Sequence, residues 1–103
     1  MLADELNKIQ DERKKIDEEF VKKLIMIIDR DLKEHASKYD SRSMTYNIIH
    51  GEVTLKTETG DLKFGLNMLD PLDKHYQKEG LEMTAVYDKS YCNGRMTFKW
   101  GNE

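Results

Sequence analysis

From Leu2 to Lys38 the chain contains neither Gly nor Pro, and its apolar residues recur at helical spacing, which predicts one continuous helix. Acids precede bases by four at Asp4/Lys8, Asp11/Lys15, Glu18/Lys22, Glu19/Lys23, Asp29/Lys33 and Glu34/Lys38. Each pair supports a helix by only about 0.3 kcal/mol, but all have the same sign. At about 1.5 Å per residue, a helix of roughly 36 residues is ~54 Å long, against ~30 Å for a small domain. Part of it must project or be covered by another surface.

The two halves of this helix differ. Over the first twenty residues the apolar positions are Leu2, Leu6, Ile9, Ile16 and Phe20, a narrow coiled-coil-like seam at alternating steps of four and three, with Arg13 in the missing place. Glu5, Glu12 and Glu19 flank it on one side; Ala3, Gln10, Asp17 and Leu24 flank it on the other. A parallel homodimer would set Glu12 against Asp17 of the second copy, so charge does not select that pairing. Self-association through the apolar middle, or a partner with basic flanks, fits better; a solvated, frayed extension is the plainer alternative. The second half carries Leu24, Ile25, Met26, Ile27 and Ile28 in succession, which go all the way round a helix and predict burial on more than one face. One face can meet the chain's own sheet; the other needs a second surface. The expected interface is therefore Leu6, Ile9, Ile16 and Phe20 on the seam, and Met26 with part of Leu24 and Ile27 on the outer face of the middle.

After a polar turn at residues 38–42, Met44, Tyr46 and Ile48 alternate on even numbers, whereas Val53, Leu55 and Thr57 alternate on odd ones. A bulge at His50-Gly51 explains the slip with one strand. A hairpin turn at Thr59-Gly60-Asp61 follows and keeps Leu55 on the face of Leu62 and Phe64. Asp70 as N-cap, Pro71 in the first helical position and Gly80 past the end mark a short helix with Leu72 and Tyr76 inward. A last hairpin closed by Asn93-Gly94 pairs Tyr91 with Met96 and Tyr87 with Trp100, and gathers Met83, Ala85, Tyr87, Tyr91, Met96, Phe98 and Trp100 on one face. The expectation is an α+β fold of order αββαββ: a four-stranded, mostly antiparallel sheet with both helices on one face. Residues 1–103 form one domain, with 1–20 a projecting helical extension and 21–103 the globular body.

Composition narrows the functions. Net charge is −3; residues 1–40 hold 9 basic and 11 acidic side chains, and residues 41–103 hold 8 and 9. Neither half is a basic patch, which argues against non-specific nucleic-acid or anionic-membrane binding. One cysteine, Cys92, permits no internal disulfide, and the charged start lacks signal-peptide character, so a cytoplasmic setting is expected. The apolar run 24–28 is too short to span a bilayer.

Catalytic candidates are sparse. His35, His50 and His75 show no metal-ligand spacing, although His50 and His75 with Asp73 could assemble a site by chance. Cys92 has no CxxC partner. Asp29, Asp31 and Glu34 fall within two helical turns, a spacing open to ion binding or acid/base work, but Arg30, Lys33 and Lys38 suit a solvated face better. Phosphate-loop, nucleophile-elbow and dinucleotide motifs are absent. Tyr87, Tyr91, Phe98 and Trp100 suit a core better than a base-stacking platform, since only Lys89 among basic residues shares their face.

The segment HYQKEGLEMTAVYDKSYCNGRMTFKW, a helix ending in Gly, an apolar strand, a tight turn and a strand ending in Trp, resembles small accessory or structural proteins of tailed phages and related mobile elements. That resemblance covers about a quarter of the chain, carries over no functional residue, and implies a small, non-catalytic, protein-binding role. The expectation is a non-enzymatic interaction module without cofactor or metal, acting as a homo-oligomer or docking its long helix on another protein. The alternative is a nucleic-acid-binding regulator using Lys14, Lys15, Lys22 and Lys23; a small metal-dependent enzyme comes third.

Overall fold

The structure is a computed structural model and describes residues 1–101. Helix α1 runs from Leu2 to Lys38 without interruption, as the absence of Gly and Pro allows. Strands β1 (Ser43–Ile49), β2 (Glu52–Thr57) and β3 (Gly60–Gly65) follow. A single 3-10 turn, Leu66–Met68, leads into α2 (Leu69–Lys78), and β4 (Glu82–Asp88) and β5 (Asn93–Lys99) close the fold. The sheet order is β3-β2-β1-β5-β4, antiparallel throughout. Both helices cover one face, where Leu24 and Ile28 of α1 and Leu72 and Tyr76 of α2 meet Met44, Ile48, Val53, Leu55, Phe64, Met96 and Phe98.

The sheet has five strands, not four. His50-Gly51 is a two-residue turn between β1 and β2 rather than a bulge: Ile49 pairs with Glu52 and Ile48 with Val53, and His50 (φ 53°) and Gly51 (φ 78°) both adopt positive φ. Two-residue hairpin turns favour that conformation because it matches the twist of the strands. A register of this parity sets even residues opposite odd ones, so the slip from Ile48 to Val53 is the signature of the turn.

The other two hairpins keep the expected parity but shift register. Thr57 pairs with Gly60, so Glu58-Thr59 forms the loop, and Leu55 still faces Leu62. Asp88 pairs with Asn93, which replaces the expected Asn93-Gly94 turn with the four-residue loop Lys89–Cys92. Within that loop Cys92 takes the positive φ, and the Ser90 amide donates to Asp88 Oδ1 at 2.8 Å. Tyr91 therefore leaves the core face and is exposed, while Met83 and Ala85 pair with Phe98 and Met96. Ala85, on edge strand β4, is also exposed. Asn93 and Gly94 are instead strand residues that bridge β1 and β4, pairing with Ile49 and Ile48 on one side and with Asp88 and Tyr87 on the other.

Helix α2 begins earlier than its punctuation implied. Its N-cap is Met68, with no side-chain cap bond, and Asp70 lies inside the first turn. The preceding 3-10 turn supplies the entry, and Pro71 still falls where a missing N–H costs nothing. At the far end the Leu81 amide donates to the Tyr76 carbonyl at 2.9 Å and Gly80 adopts φ 83°, the left-handed stop expected there.

Gly94 is required by closeness rather than by a turn. A Cβ at this position would lie 2.0 Å from the Val86 carbonyl oxygen and 2.8 Å from Tyr87 Cα, both backbone atoms that cannot swing away. Gly94→Ala is expected to lower the unfolding free energy by about 2 kcal/mol or more, measured by urea denaturation; an unchanged midpoint would contradict this packing.

Candidate functional site

The candidate surface is α1, and its properties follow from how the second half is seated. Leu24 and Ile28 are completely buried, and Phe20, Val21, Ile25, Ile27 and Leu32 pack part-buried around the same core. Three consecutive polar residues then tie the helix to three different elements. The Tyr76 hydroxyl of α2 donates to Asp29 Oδ1 at 2.8 Å. Arg30 Nη2 donates to the Lys56 carbonyl of β2 at 2.7 Å and to Asp31 Oδ1 at 3.2 Å. The Tyr46 hydroxyl of β1 donates to Asp31 Oδ2 at 2.6 Å.

The Arg30 contact falls where β2 parts from β1. The β1–β2 pairing ends at Ile48 with Val53, so farther along β2 the guanidinium supplies a donor that the neighbouring strand does not. Asp29 and Asp31, weighed from sequence as ion-binding or acid/base residues, are thus acceptors for core tyrosines, and Glu34 forms an exposed ion pair with Lys38 at 2.7 Å. Both tyrosines are held protonated well above the ordinary phenol range, first by burial and then by the hydrogen bonds to Asp31 and Asp29. Sequence reasoning missed this clamp, although the strand alternation that faced Tyr46 inward and the helical stripe that faced Tyr76 inward were usable signals: a buried tyrosine hydroxyl needs a partner.

Toward the N-terminus α1 leaves the body. Every residue from 1 to 19 is exposed, the first contact with the core is at Phe20, and the molecule measures 58 × 32 × 29 Å. Among the expected interface residues, Leu6 (51% exposed), Ile9 (61%), Ile16 (65%) and Met26 (73%) stand open to solvent. Phe20 and Ile27 are half-buried and spend that area on the chain's own core. Leu24 is wholly buried and presents nothing to a second molecule, because its position faces the sheet. Between α1 and α2 lies an open groove of about 840 Å³, lined chiefly by Val21, Ile25, Met26, Met68, Pro71 and His75, which the sequence did not announce.

The other candidates lie on different elements. His50 sits in the β1–β2 turn, His75 lies on α2 against the Tyr76 ring, and His35 packs between Tyr39 and Trp100. Among the described residues no group of three or more His, Cys, Asp or Glu side chains is placed to hold a metal ion. Cys92 lies half-buried in the β4–β5 loop with its thiol 3.6 Å from the Lys89 carbonyl. Phe98 is fully buried and stacks edge-on with Tyr76 and Tyr46, a core role rather than a stacking platform. Lys14, Lys15, Lys22 and Lys23 are exposed on α1, and no helix among the described residues is long and apolar enough to cross a membrane. No family model, curated protein or solved structure matches the chain.

The clamp makes a pH prediction with a definite sign. The folded state holds the Tyr46 and Tyr76 protons to higher pH than the unfolded chain, so their contribution is complete below about pH 10 and is lost as pH rises beyond it. Tyr46→Phe with Tyr76→Phe is expected to cost about 1 kcal/mol per hydroxyl at pH 7 and to flatten the alkaline loss, both read from denaturant midpoints between pH 7 and 11.5. Equal alkaline loss in the double variant and the natural chain would contradict the assignment.

Proposed function

We propose that this protein is a non-enzymatic interaction module that uses the N-terminal half of α1 to dock on another protein surface. The observation that carries the reading is the projecting arm. Residues 1–19 are all exposed, with Asp17 and Glu18 at the border of the α1–α2 groove, yet they carry an apolar seam broken at Arg13 rather than the polar surface of a solvated spacer. An isolated helix of this length is marginal in water, so its seam gains most from a second helix or groove laid along it. A role of this kind also agrees with the expectation drawn from residues 75–100, which resemble small accessory or structural proteins of tailed phages and related mobile elements. Nucleic-acid binding through Lys14, Lys15, Lys22 and Lys23 has less support, because Asp11, Glu12, Glu18 and Glu19 are interleaved with those lysines.

The reading separates folding from docking. A chain starting at Asp17 is expected to unfold in urea within about 1 kcal/mol of the full chain, since no core contact is removed, while any association seen by light scattering of the full chain disappears. Loss of more than ~2 kcal/mol on truncation would make the arm a folding element and overturn the proposal.

A further inference from the structure

The arm is a strict repeat. Residues 2–8, 9–15 and 16–22 read LADELNK, IQDERKK and IDEEFVK, with an apolar residue first, an acid third, Glu fourth and Lys seventh in each. At helical spacing these become parallel rows. Glu5, Glu12 and Glu19 line one side of the seam. Lys8, Lys15 and Lys22 lie one row farther out, where each has Asp4, Asp11 or Glu18 four residues before it. The opposite flank, Ala3, Gln10 and Asp17, carries no positive charge. The repeat stops at Lys23, which occupies the next seam position, close to where α1 enters the core.

This arrangement disfavours a second copy in either orientation. In a parallel pair the glutamate row faces Gln10 and Asp17; in an antiparallel pair it faces itself. Arg13, in the central layer of the seam, would in addition meet its own copy in the parallel case. The flanks that repel self-pairing specify the charge of a heterologous partner.

We infer that the arm pairs with a helix of a different protein, one bearing about three heptads of apolar seam, Lys or Arg along the row facing Glu5, Glu12 and Glu19, and a carboxylate or amide side chain opposite Arg13. The inference rests on the docking role of the arm, and it adds the identity of the partner surface: an α-helix with basic flanks. Attraction along one flank supplies selectivity, and the shared seam supplies the contact area.

The test uses the full chain and two synthetic three-heptad helices with the same Leu/Ile seam and a Glu opposite Arg13, one with Lys and one with Glu at all flanking positions. Binding is measured by calorimetry at low and high salt, alongside light scattering of the chain alone. The expected result is a chain that stays monomeric and binds the lysine-flanked helix at least roughly tenfold more tightly than its twin, with the difference shrinking in high salt. Changing Glu5, Glu12 and Glu19 together to Lys should reverse the preference without altering the urea midpoint of the body. Equal binding of both helices would overturn the charge rule and leave the docking role standing. A concentration-dependent dimer whose formation needs residues 2–16 would overturn the heterologous partner. A monomer that binds neither helix would overturn both this inference and the seam as a helix-docking surface.

Discussion

The seating of the second half of α1 governs the rest of the structure. Leu24 and Ile28 fill the space above the sheet, and Asp29, Arg30 and Asp31 fasten the helix to α2, β2 and β1 in turn. The roughly 65 residues that follow α1 have little apolar surface to spare, so a core that borrows two turns of this helix depends on it to close. The polar clamp adds direction to what burial leaves non-specific. Two strands that part company are bridged by one guanidinium and one carboxylate, and the axis of α1 is fixed relative to the sheet.

A fixed axis has a consequence at the other end. The helix is continuous, so the body sets the direction in which residues 2–19 extend. Leu2, Leu6, Ile9, Ile16 and Phe20 lie within about an 80° arc that also contains the buried Leu24. One stripe therefore serves two purposes along its length: it packs on the sheet where the sheet exists, and beyond it the same stripe is unoccupied. The change in flanking chemistry, from the hydrophobic residues around Leu24 to rows of Glu and Lys along the arm, marks where a folding surface becomes a recognition surface.

Much of this was legible in the residues. The continuity of α1 agrees with the missing Gly and Pro and its end with the polar turn at residues 38–42, and strand parity placed Leu55, Leu62, Phe64, Met96 and Phe98 inward even where the registers moved. The fifth strand was missed because a two-residue turn and a bulge both shift the alternation of Met44–Ile48 relative to Val53–Thr57; the second strand needs the long β1–β5 pairing from Ser43 to Ile49 to reveal itself. Asn93-Gly94 misled because it is a strong hairpin signal, whereas Gly94 is there for the close approach of β4. The Asp29–Asp31 clamp depends on which hydroxyls arrive from distant elements, which spacing within α1 does not encode.

The central claim is that residues 2–16 have no partner within their own chain. Residue-resolved amide hydrogen exchange on the monomer tests it most directly, because exchange reports local opening along one continuous helix. The account predicts strong protection from Leu24 to Leu32 and rapid exchange from Leu6 to Ile16. Protection running undiminished through both halves would show that the arm is already held by its own body, and would contradict the account.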